Sequence, residues 1–136
     1  MTGTFLSLTV SPSFNGGFIV TLLEDVGGRN TKYILRYRES SVPFTSLENP
    51  DFAEGDQRDE REIPEEQAQR VMALLKDASV TPVPPYALGL DGTTYLLHVS
   101  NGSNEARYTW WVNIPDGWEP LGKVCAALLA LAGKES

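Results

Sequence analysis

The chain has 136 residues, a length suited to one domain around one core, and its eleven Lys and Arg against eighteen Asp and Glu give a net charge of −7. Charge of that sign repels phosphate backbones, so nucleic acid is disfavoured as a partner; an acidic surface most commonly serves solubility, and it would also speed association with a basic protein partner. The single cysteine, Cys125, excludes an internal disulfide, and the single histidine, His98, excludes a multi-histidine metal centre.

Residues 5–10, 18–23 and 31–38 are rich in β-branched and aromatic side chains and are separated by turn formers, which predicts an antiparallel meander. With Gly27-Gly28 as the second turn, Phe18 faces Tyr37, Val20 faces Leu35 and Leu22 faces Tyr33, and the two-residue period puts all six on one core face. Residues 39–62 lose any apolar period, and half of all the acidic residues fall between Glu48 and Glu66, so this stretch is expected to be an acidic loop.

Pro64, Glu65 and Glu66 then open a helix whose stripe is Ala68, Val71, Met72, Leu74 and Leu75, ending near Ala78 before the prolines at 82, 84 and 85. That proline-rich link is expected to bridge helix to sheet. Two further strands, 93–99 and 105–112, flank Asn101-Gly102. Taken as a two-residue turn, this pair sets Tyr95 opposite Tyr108 and Leu97 opposite Ala106 on one face. It sets His98 opposite Glu105, Leu96 opposite Arg107 and Thr94 opposite Thr109 on the other. A last helix starts between Asp116 and Pro120, carries Leu121, Val124, Cys125, Leu128, Leu129 and Ala132 on one stripe, and ends at Gly133. The fold class predicted is α+β: a single domain over 1–136, an antiparallel sheet of about five strands with two helices on one face, order βββαββα.

No grouping of side chains points to catalysis, a metal or a cofactor. His98 is expected to form a surface ion pair with Glu105, and Cys125 to be core packing. Gly122-Lys123 lacks the upstream glycine of a phosphate loop. The residues that stand out are Trp110 and Trp111, because neighbours on a strand point to opposite faces and only one can enter a one-sided core. The register sends Trp110 inward. Trp111 is then expected on an open face with Thr109, Arg107 and Leu96, near Ile19, Leu23 and Ile34, unless the acidic loop or the proline link covers it or it stacks on Trp118.

Gly16-Gly17-Phe18, the helix from Ile63-Pro64-Glu65-Glu66 to Leu74-Leu75-Lys76-Asp77-Ala78, the stretch Leu90-Asp91-Gly92-Thr93-Thr94-Tyr95 and the terminal leucine helix together span most of the chain. Their order resembles the emfourin-like small bacterial proteins, a family that includes proteinaceous inhibitors of thermolysin-type metallopeptidases. Tyr108-Thr109-Trp110-Trp111 with Pro115 and Trp118 looks like a motif of uncharacterised bacterial proteins. The acidic insertion and paired tryptophans depart from the inhibitor pattern, and no residue role carries across. The function expected is a cytoplasmic, non-enzymatic protein-binding module, an inhibitor or immunity protein occluding a partner through Trp111, Arg107, Thr109 and Leu96. The alternatives are a small-ligand binder or enzyme with a pocket beside the acidic loop, and a homodimer that buries the open face.

Overall fold

A computed structural model describes residues 2–13, 16–40, 44, 58–89 and 91–134. Within these residues six strands and two helices follow one another: β1 (Thr2–Pro12), β2 (Phe18–Asp25), β3 (Lys32–Glu39), β4 (Arg58–Ile63), α1 (Glu65–Asp77), β5 (Thr93–Asn101), β6 (Asn104–Trp111) and α2 (Glu119–Leu131). They form one sheet in the order β4-β3-β2-β1-β5-β6, antiparallel throughout. The fold is α+β as predicted, with one strand more.

The additional strand, β4, takes the C-terminal end of the stretch read as an acidic loop. Its residues Arg-Asp-Glu-Arg-Glu-Ile are charged at five of six positions, so no apolar alternation announces a strand. Pairing with β3 makes it one, and only Ile63 enters the core. Residues 45–57, the rest of the predicted loop beyond Phe44, lie outside the described residues, as do 41–43.

Every second residue of the strands faces the helices. Leu6, Leu8, Val20, Leu22 and Leu97 are fully or almost fully shielded, and Val10, Tyr33, Leu35, Tyr37, Ile63 and Trp110 complete the sheet's share of the core. The helices contribute Ala68, Val71 and Met72 from α1 and Leu121, Val124, Cys125, Leu128 and Leu129 from α2, with Leu75 and Ala132 partly buried beside them; Leu74, expected on the α1 stripe, is instead 38% exposed, because it lies off the 68, 71, 72, 75 line that faces the core. α2 closes through a two-bond cap in which Gly133, at φ 72°, donates to the Ala130 carbonyl and Lys134 N–H to the Leu129 carbonyl. Lys134 Nζ then lies 4.6 Å above the Tyr37 ring, a cation held against the aromatic face.

Both predicted hairpin registers are corrected by two residues. Val20 pairs with Tyr37 and Leu22 with Leu35, because the chain turns through residues 26–31, where Asp25 Oδ1 accepts from Gly27 N–H, and not through Gly27-Gly28 alone. Tyr95 pairs with Trp110, Leu97 with Tyr108, Leu96 with Thr109 and His98 with Arg107. Here Asn101 is still a strand residue, paired with Asn104, and the two turn residues are Gly102-Ser103. Gly102 takes φ 65° at the first central position, where the tight hairpin turn with one positive φ needs a glycine. A shift of two preserves every inside–outside assignment, so the core faces stand although the partners change.

Burial sets two acid–base properties of this core. The Cys125 thiol is pushed up to about 12 by desolvation. The Tyr37 phenol also rises to about 12, first by burial and then by the hydrogen bond its hydroxyl donates to Glu39 Oε2 at 3.1 Å. Both groups hold their protons more tightly folded than unfolded, where they titrate near 8.5 and 10, so stability is complete below those values and declines as pH rises toward 12. Denaturant midpoints should stay level to about pH 8.5 and then fall, and Cys125→Ala should remove the earlier part of the fall. Wild-type and Cys125→Ala midpoints that run parallel from pH 8 to 11 would show that the thiol contributes nothing.

Candidate partner-binding site

The face of the sheet away from the helices is floored by small polar residues. Ser7, Thr9 and Thr21 are buried there between larger neighbours, with Leu96, opposite Thr109, also buried at 7% exposure. Ile19, Leu23 and Ile34 share this face and are half-buried. The broad apolar face expected from sequence is therefore interrupted at its centre, and the exposed apolar surface gathers at one end.

That end is built by the link between α1 and β5. On the helix side, Thr81 N–H donates to the Gly117 carbonyl at 3.2 Å and its own carbonyl accepts from Trp118 Nε1 at 2.8 Å. On the other side, the Asp91 carbonyl accepts from Trp111 Nε1 at 2.9 Å, and Gly92 is bound through both its N–H and its carbonyl to Ser13 Oγ. Two indoles on opposite faces of the sheet thus hold the two ends of the link. Trp118 packs edge-on against Tyr108 and Trp110, on the core side, so Trp111 does not stack on it.

Trp111 instead lies under the link. A Cβ on Gly89 would fall 2.0 Å from its ring, which is why that position tolerates only a glycine without displacement. Beyond it the strand ends in a tight reversal: Asn113 N–H donates to the Trp111 carbonyl at 2.7 Å across Val112, whose φ is 61°. A β-branched residue in that region is strained by its Cβ. Val112 N–H is held by the Thr93 carbonyl at 2.7 Å, so the neighbouring strand fixes the strained turn.

Between link and sheet lies a cleft of about 320 Å³, with Pro84, Pro85 and Ala87 on one wall and Thr109, Trp111 and Pro115 on the other. Around it the link turns large apolar side chains outward: Val83 is 82% exposed, Tyr86 88% and Leu88 76%. Trp111 and Val112 add partly exposed surface at 37% and 38%.

The four sequence-selected residues do share one face. Trp111 and Thr109 border the cleft, whereas Arg107 sits farther toward the hairpin turn, opposite His98, with Nε 3.4 Å from Glu105 Oε1. Leu96 supports the floor and offers little area of its own. His98 Nε2 is 3.9 Å from Glu105 Oε2, a long contact, and is buried with no hydrogen-bond partner among the described residues. Its ring meets Phe5 edge-on. Tyr86, Leu88 and Val83 were missed because a proline-rich link has no period to read. The available signal was composition: three large apolar residues in a segment too short and too proline-rich to build a core of its own.

Among the described residues no helix is long and apolar enough to cross a membrane. Among the described residues no three His, Cys, Asp or Glu side chains gather as a metal site would require. No protein-family model matches the chain and no curated protein matches it significantly, so the site's own geometry carries the functional argument.

Proposed function

We propose that this protein is a protein-binding module that occludes a basic partner, in the manner of an inhibitor or immunity protein, and that it binds through the link and the Trp111 end of the sheet. The observation that carries the reading is the concentration of Val83, Tyr86 and Leu88, outward-turned on a link pinned at both ends, beside the cleft under Trp111. Exposed apolar groups of this size on a held backbone cost little ordering entropy when they dock, and tyrosine and tryptophan are the usual anchors of such contacts. The net charge of −7 supplies long-range attraction to a basic surface and raises the encounter rate. The resemblance to emfourin-like proteins agrees with a metallopeptidase as one class of partner.

The test is capture followed by reconstitution. A protein retained from lysate by the wild type is repurified and titrated calorimetrically against wild type, Tyr86→Ala/Leu88→Ala, and the α1 surface control Arg70→Ala. The double variant should weaken binding by about 30-fold or more, the control should not, and rising salt should slow association. Equal affinity of wild type and double variant for every captured protein would remove the link from the binding site.

A further inference from the structure

We infer that two copies of this chain associate through the outer edges of their β6 strands, antiparallel and centred on Ala106. β6 ends the sheet, with β5 on one side and no strand on the other among the described residues. Asn101 and Asn104 close the hairpin around Gly102-Ser103, so Asn104, Ala106 and Tyr108 direct their backbone groups toward β5, while Glu105, Arg107 and Thr109 direct theirs outward. The Val112 N–H bond to Thr93, at the far end of the same ladder, has the parity this requires.

The two edges of the sheet differ in how they meet another strand. β4 has five charges in six residues, with Glu60 bound to Arg36 and Arg61 bound to the Leu131 carbonyl, so a strand laid against it would have to desolvate all of them. β6 reads Asn-Glu-Ala-Arg-Tyr-Thr-Trp-Trp, without proline, and carries two charges of opposite sign, Glu105 and Arg107, on one face. A pair of opposite charges two residues apart becomes self-complementary when the strand meets its own copy in reverse.

Those charges select the register. A two-fold axis perpendicular to the sheet keeps equivalent faces on the same side, so opposed residues must share parity. Centring on Ala106 sets Glu105 against Arg107 of the second copy and Arg107 against its Glu105, with the outward backbone groups of both residues aligned to exchange hydrogen bonds. Centring on Arg107 opposes two guanidinium groups. Centring on Tyr108 brings in Trp111, whose carbonyl is already taken by Asn113 N–H and whose end of the strand borders the link. In the Ala106 register the Trp111 end of each copy runs past the turn of the other, clear of the link. The ladder is about five residues per copy, which places it among small, reversible interfaces with a Kd of micromolar order.

Sedimentation velocity from about 5 to 500 μM tests this. The wild type should rise in mass toward twice the monomer. Glu105→Arg and Arg107→Glu should each weaken association about tenfold or more, and the double swap should recover it to within about threefold, circular dichroism confirming that all four proteins are folded. A wild type that stays monomeric at the highest concentration overturns the inference. So do single variants that dimerise like wild type, or a folded double variant that fails to recover. Tyr86→Ala/Leu88→Ala should leave the mass unchanged, so this interface and the link's partner site stand or fall separately.

Discussion

Trp110→Ala should cost about 3–5 kcal/mol of stability, and Trp111→Ala only about 1–2, although the residues are adjacent and identical in type. Trp110 is buried on the core face, stacked on Tyr95 with ring centres 5.5 Å apart and meeting Trp118 edge-on at 6.3 Å. Removing it opens a cavity that Tyr95 and Trp118, each held by other contacts, cannot close. Trp111 keeps 37% of its surface in solvent and loses one hydrogen bond, to the Asp91 carbonyl, on truncation. For a domain whose whole stability is expected between about 5 and 15 kcal/mol, the first change lowers Tm by about 10–15 °C. Thermal unfolding of the two variants side by side is the check. Equal losses would mean that the two indoles are equally buried and that the face assignment is wrong.

Gly92→Val should be the most damaging substitution at the site, at about 2–5 kcal/mol. Gly92 has φ 128°, a conformation that a β-branched residue resists, and its added Cβ would fall 2.7 Å from Val112 Cγ2 and 3.0 Å from Trp111 Nε1. Relief requires the end of the link to lift away from Trp111, which also loosens the Ser13 hydroxyl from both backbone groups of Gly92. Tm should fall and tryptophan fluorescence should become more accessible to acrylamide. Gly102→Ala separates the two causes, since Gly102 has φ 65° but nothing within 4 Å of its added Cβ. It should cost about 1 kcal/mol, the backbone strain without the collision. If Gly92→Val is no worse than Gly102→Ala, the link does not press on the Val112 turn as described.

The part of the site that sequence reveals is its orientation. That Trp110 and Trp111 point to opposite faces follows from strand alternation, and the predicted register sends Trp110 inward and Trp111 outward with Thr109, Arg107 and Leu96; a two-residue correction leaves that assignment unchanged. The part it does not reveal is what covers Trp111. Gly89 and Asp91 reach the indole through a link with no periodic pattern, and the hydrogen bonds at its two ends, to Trp118 and Trp111, join residues 37 and 20 positions apart. Chain separation of that kind leaves no local trace.

The same division holds for the whole molecule. Wherever burial imposes a period, as in β2, β3, β5, β6 and the stripes of α1 and α2, the side chains' own hydrophobicity determined element type, inward face and core membership before any tertiary contact was known. β4 has no such period: Arg58 to Glu62 are exposed, and the strand exists because β3 offers its backbone groups a partner. The hairpin registers likewise depended on where each turn closes. A two-residue slip leaves every side chain on its original face, so the hydrophobic pattern is blind to it and only the pairing of the strands and the closure of the turns decide it. Periodicity is a local property written along the chain, while strand partners, register and the path of the link are settled between distant segments by hydrogen-bond satisfaction and space.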